Sequence, residues 1–135
     1  RVPADQPIFG SPDGIWVDDG GVVWIQTDIS NSVQNRQVAG YDNIKNNAML
    51  AAFPETGEVK RFLTGPRGCE ITGVVMTPDL RTMFVNVQHP GEAGSAGVDP
   101  RDPRRVSNWP DFRPAGRPRS ATLVVRRLDG EVIGA

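Results

Sequence analysis

Short stretches of alternating apolar and polar residues, separated by turn-forming residues, run along most of the chain. The first two are Gly14-Ile-Trp-Val-Asp18 and Val22-Val-Trp-Ile-Gln-Thr27, joined by Asp-Gly-Gly. Residues 48 to 53 and 58 to 63 form a second pair around Pro-Glu-Thr-Gly. Alternation with a period of two, broken by Gly-containing turns, predicts antiparallel hairpins. The first half of the chain therefore predicts four strands.

The second half repeats this order after a loop at residues 64 to 69. Strands are predicted at 70 to 76, 82 to 88, 120 to 126 and 131 to 133, and residues 47 to 59 align without a gap on residues 120 to 132. Repeats of about 40 residues that each hold four strands are typical of β-propeller blades. We therefore predict an all-β fold with two four-stranded antiparallel blades of a β-propeller. The alternative is a small β-sandwich or open meander.

The pattern divides the chain into three parts. Residues 1 to 10 are rich in proline and predict a linker or an edge strand. Residues 11 to 64 form the first blade, and residues 65 to 135 form the second, with a Pro- and Arg-rich insertion at 89 to 119. A propeller needs about four to eight blades. We therefore expect a fragment of a larger propeller, whose open blade faces are covered by the remaining blades or by self-association.

Composition excludes some partners. The net charge is −1 and the pI is about 5.8, which argues against nucleic acid, because binding to phosphate backbones needs a concentrated positive surface. No apolar run approaches the roughly 20 residues of a membrane-spanning helix. Eight of the 13 arginines lie between Arg101 and Arg127. They could clamp a phosphate group, but the interspersed aspartates favour a solvated loop.

Three oxygen-bearing residues are candidate metal ligands because they stand where loops lead into strands. Asp13 and Glu70 precede the innermost strand of each blade, which opens toward the central channel of a propeller, and Asn47 directly precedes another strand. Hard cations such as Ca²⁺ prefer several oxygens from separate loops. Each has a structural alternative: Asp13 and Asn47 are common turn residues, and Arg67 could pair with Glu70.

Two other reactive side chains are assigned no site. Cys69 has no second cysteine or spaced histidine beside it, so a buried free thiol is expected. His89, the single histidine, could be a ligand or a proton carrier, but it is interpreted as polar surface at a strand end.

Two runs are distinctive: Gly65-Pro-Arg-Gly-Cys-Glu70 and Val87-Gln-His-Pro-Gly-Glu92. With most of the chain from Ser11 onward, they resemble the C-terminal part of the PhoX-type alkaline phosphatases. The resemblance implies an exported protein, typically carried by the twin-arginine route, that is periplasmic or extracellular. It also implies a propeller that holds calcium and iron in its channel and hydrolyses phosphate monoesters. Glu70 is then the first candidate metal ligand and Asp13 the second.

The same resemblance implies that this chain is inactive by itself, since the earlier blades would carry most metal ligands. Two alternatives stay open. The run Pro12-Asp-Gly-Ile15 also resembles calcium-dependent propeller hydrolases of the lactonase type. A non-catalytic scaffold or binding module is the third hypothesis, favoured if Asp13 and Glu70 bind only backbone or Arg67.

Overall fold

A computed structural model describes residues 9 to 34, 41, 43 to 92, 99 and 101 to 134. The strands are β1 Pro12–Val17, β2 Val23–Thr27, β3 Ala48–Phe53, β4 Glu58–Thr64, β5 Glu70–Met76, β6 Met83–Gln88 and β7 Ala121–Val125. Consecutive strands pair antiparallel, with β1 to β4 in a first sheet and β5 to β7 in a second. The all-β prediction is confirmed. The predicted linker or edge strand lies almost entirely outside the described residues.

The internal repeat is visible in the pairing register. The central row of the first sheet pairs Ile15 with Ile25 and Ile25 with Leu50, and that of the second pairs Val74 with Val85 and Val85 with Leu123. Leu50 and Leu123 are equivalent in the alignment of residues 47 to 59 with 120 to 132, and the strand pairing extends the equivalence to Ile15 with Val74 and to Ile25 with Val85. The turns repeat as well, because Gly57 and Gly130 both adopt φ of +73°, where glycine is favoured. The two sheets are therefore two copies of one strand unit.

Apolar side chains on the facing surfaces hold the two sheets together. Trp24 and Met49 of the first sheet share one buried cluster with Ile71 and Met83 of the second. The Trp24 ring meets the Phe62 ring edge to face, with centroids 4.9 Å apart. Burying each large apolar side chain contributes about 1.5–3 kcal/mol. This inner core fixes the stacking of the sheets.

Gln26 adds a polar tie between the sheets at a β-bulge. β5 is bulged between Thr72 and Val74, and with its amide oxygen turned toward β5, Gln26 accepts hydrogen bonds from the backbone N of Gly73 and Val74, each 3.2 Å long. Gly73 has a φ of +53°, and a Cβ there would lie 2.8 Å from Asn86 Nδ2. Glycine is therefore required at this bulge.

The predicted fourth strand of the second sheet is wrong, since residues 131 to 134 form no strand. Ile133 instead donates its backbone N–H to Leu80 O at 2.9 Å, and its side chain is buried in the core. Arg127 also donates to the Val132 carbonyl. Burial of Ile133 thus turns this segment away from β7, and the second sheet has three strands in the described residues.

Each sheet exposes apolar side chains on its outer face. Ile15 and Val17 are 71% and 56% exposed on the first sheet, and Val75 and Val124 are 55% and 59% exposed on the second. By the repeat, Val75, Phe84 and Val124 hold the strand positions that Trp16, Trp24 and Ala51 hold on the inner face of the first sheet. The outer face of the second sheet therefore has the pattern of a packed blade surface.

Candidate functional site

The beginnings of β1 and β5 lie at the same end of the stacked sheets. Asn47, just before β3, donates from Nδ2 to the carbonyl of Cys69, just before β5, at 2.8 Å. Its own carbonyl accepts the N–H of Gly65 at 2.9 Å. In an antiparallel sheet β1 and β3 begin at the same edge. This end of the molecule therefore carries both predicted carboxylates, Asp13 and Glu70.

Glu70 is held by neighbours on the adjacent strand. Its side chain is 13% exposed, and Oε2 accepts a hydrogen bond from Gln88 Nε2 at 3.0 Å. The same oxygen lies 3.5 Å from His89 Nε2. The partner that the sequence suggested, Arg67, makes no ion pair with Glu70 in the described part of the chain. The carboxylate is thus fixed through one oxygen, which leaves Oε1 without a recorded hydrogen bond among these residues.

His89 lies between two carboxylates, which the sequence interpretation as polar surface missed. Nδ1 is 3.2 Å from Glu92 Oε2, while Nε2 faces Glu70. Asn31 of the first sheet's long loop donates to the same Glu92 oxygen at 2.6 Å. A chain of polar contacts therefore runs from Glu70 through His89 to Asn31. The available signal was the run Val87-Gln-His-Pro-Gly-Glu92, which holds His89 and Glu92 of this chain and also Gln88, the other partner of Glu70.

The loop before Glu70 is fastened to the loop after β6. Gly91 donates to the carbonyl of Arg67 at 2.9 Å, and Glu92 donates to the carbonyl of Gly68 at 3.2 Å. Gly68 has a φ of +71°, and a Cβ on it would lie 2.5 Å from the backbone carbonyl oxygen of Glu92. Gln34 Oε1 accepts the Gly68 N–H at 3.0 Å, and its buried Nε2 has no hydrogen-bond partner among the residues that the structure describes. The approach of the two loops thus requires glycine at position 68.

Asp13 lies on a bulge of β1 between Pro12 and Gly14, and its side chain is exposed. No hydrogen bond or ion pair to Asp13 is found among the described residues. The expected turn role, in which the carboxylate bonds to its own backbone, is therefore not seen here. The carboxylate is open to solvent and available to a ligand.

Asn47 is buried and uses both ends of its amide inside the protein. Oδ1 accepts from Thr27 Oγ1 at 2.9 Å and from the Ile29 N–H at 2.6 Å, while Nδ2 donates to the carbonyls of Ile29 and Cys69. An amide oxygen has two lone pairs, and both are directed at these donors. We therefore propose a structural role for Asn47 in place of the ligand role expected from the sequence.

Cys69 is a free, buried thiol, as the sequence predicted. The pKa of this thiol is raised to about 12, chiefly by burial; a backbone hydrogen bond lowers it in part, and the nearby Glu70 charge adds a smaller increase. The thiolate is the form that binds metals and attacks electrophiles. At neutral pH Cys69 is therefore protonated and packs as an apolar side chain.

The residues at this end fit part of a metal site. Glu70 offers one carboxylate oxygen, and Asp13 offers an exposed carboxylate. In the described ranges, no group of three or more His, Cys, Asp or Glu side chains is arranged to hold a metal ion. Ca²⁺ takes six to eight oxygen ligands. Further ligands would have to come from outside these residues.

Two stacked antiparallel sheets that repeat one strand unit have the architecture of propeller blades, and both predicted carboxylates lie at one end of them. The sequence profile of the family "Alkaline phosphatase PhoX" matches residues 3–91. The chain therefore belongs to the PhoX alkaline phosphatase family.

One solved structure extends the match over most of the chain. This is Pseudomonas fluorescens PhoX in complex with vanadate, a transition state analogue, with 42% sequence identity and a TM-score of 0.74. The match covers 92% of this chain but only 19% of that protein. The comparison with curated protein sequences found no match. No helix in the described residues is long and apolar enough to cross a membrane.

Proposed function

We propose that the chain forms two neighbouring blades of an exported, metal-dependent phosphatase that hydrolyses phosphate monoesters. The observation that carries the proposal is the Glu70 carboxylate, held through Oε2 by Gln88 and His89 at the end where both inner strands begin. Family membership and the similarity to PhoX bound to vanadate support a phosphoryl-transfer reaction for the parent protein.

Glu70 and Asp13 are the residues of this chain that would hold metal, with calcium as the first candidate and iron as a further one. A bound cation would polarise the phosphoryl oxygens of the substrate and neutralise charge in the transition state. The chain's own contribution is positional. Gln88 and His89 orient Glu70. His89 in turn pairs with Glu92, and Glu92 accepts a hydrogen bond from Asn31. Such supporting contacts hold a metal ligand in its binding orientation and raise the affinity for the metal.

We further propose that the chain by itself has no phosphatase activity. It spans about a fifth of the length of the PhoX structure that it matches, and its described residues offer two carboxylates where a cation needs several ligands. The remaining blades are its expected partners, and they would cover the outer faces that expose Ile15 and Val75. Without them, those faces favour self-association. The parent would act in the periplasm or outside the cell, after export by the twin-arginine route.

The test compares Glu70→Gln with Glu58→Gln in the full-length parent protein. Glu58 is an exposed carboxylate that pairs with Lys60 at 3.2 Å, far from the strand end that holds Glu70, so it controls for loss of charge. We expect Glu70→Gln to lower both the bound metal, measured by elemental analysis, and the rate on a soluble phosphate monoester. Unchanged metal content and rate in Glu70→Gln would remove this residue from the site.

A second assay addresses the chain alone and the alternative chemistry. The 135-residue chain is incubated with Ca²⁺ and a chromogenic phosphate monoester, and turnover would contradict the proposal that its site is incomplete. A lactone panel with the parent tests the lactonase alternative, which the exposed carboxylate of Asp13 favours. Lactone turnover without phosphatase activity would replace the proposed function, and the lack of both activities would favour a scaffold.

A further inference from the structure

The insertion between β6 and β7 leaves and re-enters the second sheet at the end that holds Glu70. Glu70 pairs with Gln88, the last residue of β6, and Val87 pairs with Ala121, the first residue of β7. The connection between these strands therefore begins and ends at the edge where β5 starts. Its Arg-rich part, residues 101 to 119, is named the arginine loop.

The base of the arginine loop lies against the residues that support Glu70. The backbone N–H of His89 donates to Ser120 Oγ, directly after the loop, at 3.0 Å. A Cβ on Gly91 would lie 3.0 Å from Pro118 Cγ, so the end of the loop packs closely on the segment that follows β6. His89 Nε2 is in turn 3.5 Å from the Glu70 carboxylate. The arginine loop therefore stands beside the first candidate metal ligand.

Contacts within the arginine loop fix its shape. Trp109 packs against the hydrophobic core, and its carbonyl accepts the backbone N–H of Arg119 at 3.3 Å. The Arg119 guanidinium donates to both carboxylate oxygens of Asp111, at 3.2 and 3.0 Å. Gly116 closes a further turn by donating to the Arg113 carbonyl at 2.9 Å. A loop that is already folded loses little conformational entropy when it binds a ligand.

The arginine loop has a strong positive charge, since it holds six arginines and two aspartates in a chain whose net charge is −1. Two of these arginines are paired, Arg101 with Asp99 at 3.2 Å and Arg119 with Asp111 at 3.0 Å. The other four are exposed and make no ion pair within the described ranges: Arg104, Arg105, Arg113 and Arg117. The interspersed aspartates therefore leave most of the positive charge of the loop available to a ligand.

We propose that the arginine loop binds a second phosphate group of the substrate, so that the parent protein prefers phosphate monoesters whose leaving group is itself negatively charged. Arginine suits this role because its guanidinium donates two parallel hydrogen bonds to phosphate oxygens. Positive side chains at the entrance of a site also raise the local concentration of an anionic substrate and its association rate. The inference rests on the proposed phosphatase function and adds the substrate class.

The kinetic test uses the full-length parent protein and two substrates that differ by one phosphate, a hexose 6-phosphate and the corresponding hexose 1,6-bisphosphate. The test variant is Arg104→Gln/Arg117→Gln, because neither side chain makes a hydrogen bond or an ion pair in the described part of the chain. We expect kcat/KM to fall at least about fivefold more for the bisphosphate than for the monophosphate, the factor that one charge contact at about 4 Å is worth in water. This difference should disappear at about 1 M salt, where charges are screened within about 3 Å.

The matched control, Lys60→Gln/Arg81→Gln, removes the same charge at the opposite end of the sheets. Lys60 pairs with Glu58 next to the turn between β3 and β4, and Arg81 lies in the turn between β5 and β6. The control should change kcat/KM by the same factor for both substrates. Equal losses for both substrates in Arg104→Gln/Arg117→Gln would overturn the proposal, and so would a difference that high salt leaves unchanged.

A binding measurement needs no catalysis and keeps the two proposals distinguishable. The 135-residue chain is titrated with each sugar phosphate in a buffer with a chelator, so that no cation bridges the phosphate to a carboxylate, and amide shifts are followed by nuclear magnetic resonance. We expect the bisphosphate to bind at least about fivefold more tightly and to shift the amides of residues 101 to 119. The test variant should lose this preference.

Equal affinities for the two sugar phosphates, or shifts confined to other residues, would overturn the proposal. A parent protein that hydrolyses neither substrate would refute the proposed function alone. The titration of the 135-residue chain then decides whether the arginine loop binds a bisphosphate.

Discussion

The amide of Asn47 offers the sharpest test of how the two sheets are joined. Replacing Asn47 with alanine removes hydrogen bonds to Thr27, to Ile29 at both its N–H and its carbonyl, and to Cys69. The side chain is 1% exposed, so water cannot replace these bonds without entering the core. Each bond contributes about 1 kcal/mol net, and each buried group left without a partner costs about 1–3 kcal/mol.

These terms together predict a loss of roughly 3–5 kcal/mol from the free energy of unfolding. Domains of this size have about 5–15 kcal/mol in total. A change of this size lowers the Tm by roughly 10–20 °C. Thermal unfolding followed by circular dichroism measures it. Asn86→Ala is the matched control, since Asn86 is exposed and accepts only from Thr122 Oγ1 in the described residues, and it should change stability by less than about 1 kcal/mol.

Measuring the Tm with and without calcium separates the structural role of Asn47 from the ligand role expected from the sequence. If Asn47 is structural, the Tm of Asn47→Ala falls by the same amount with and without calcium. A Tm within about 4 °C of the unsubstituted chain would refute the hydrogen-bond argument. A loss confined to calcium-containing buffer would restore the ligand role.

Three further predictions concern single side chains. Cys69 should react with a thiol reagent only as fast as the chain unfolds. Its pKa is raised to about 12 from an ordinary 9.0, so the folded chain keeps the thiol protonated where the unfolded chain would ionise it. The free energy of unfolding therefore keeps the full contribution of the protonated thiol below pH 9 and loses it as the pH rises toward 12. Rapid labelling of the folded chain at pH 8 would contradict this. Asp18→Ala should destabilise by about 2–3 kcal/mol in urea unfolding, because it leaves Trp24 Nε1 and the Val22 N–H without their acceptor; a loss below about 0.5 kcal/mol would refute the stabilising role of these two hydrogen bonds. Phe84→Ser should reduce self-association of the chain in ultracentrifugation, and unchanged association would exclude that face.

The strand unit could be predicted from local sequence because its determinants are local. Alternation of Ile15, Trp16 and Val17 decides which face each residue occupies, and Gly57 and Gly130 allow the same turn in both halves. The repeat then fixes equivalent positions, so the register of the second sheet follows from that of the first. The same local logic placed Glu70 at the beginning of β5.

The candidate site could be predicted only in part, because its contacts join residues far apart in the chain. The sequence offered Arg67 as an ion-pair partner of Glu70, whereas the structure places Gln88 and His89 beside it. His89 gained a role only through the approach of Glu92 and Asn31. No local sequence pattern predicts these contacts, since they depend on how the two loops dock.

The sequence by itself determined the strands, their turns and their duplication, since period-two alternation and glycine turns act within a few residues. Only the tertiary structure decided the use of Asn47 as a tie between sheets and the departure of Ile133 from the predicted fourth strand. Both outcomes depend on burial against the opposite sheet. The free energy of that burial is set by three-dimensional packing, which one strand's sequence does not contain.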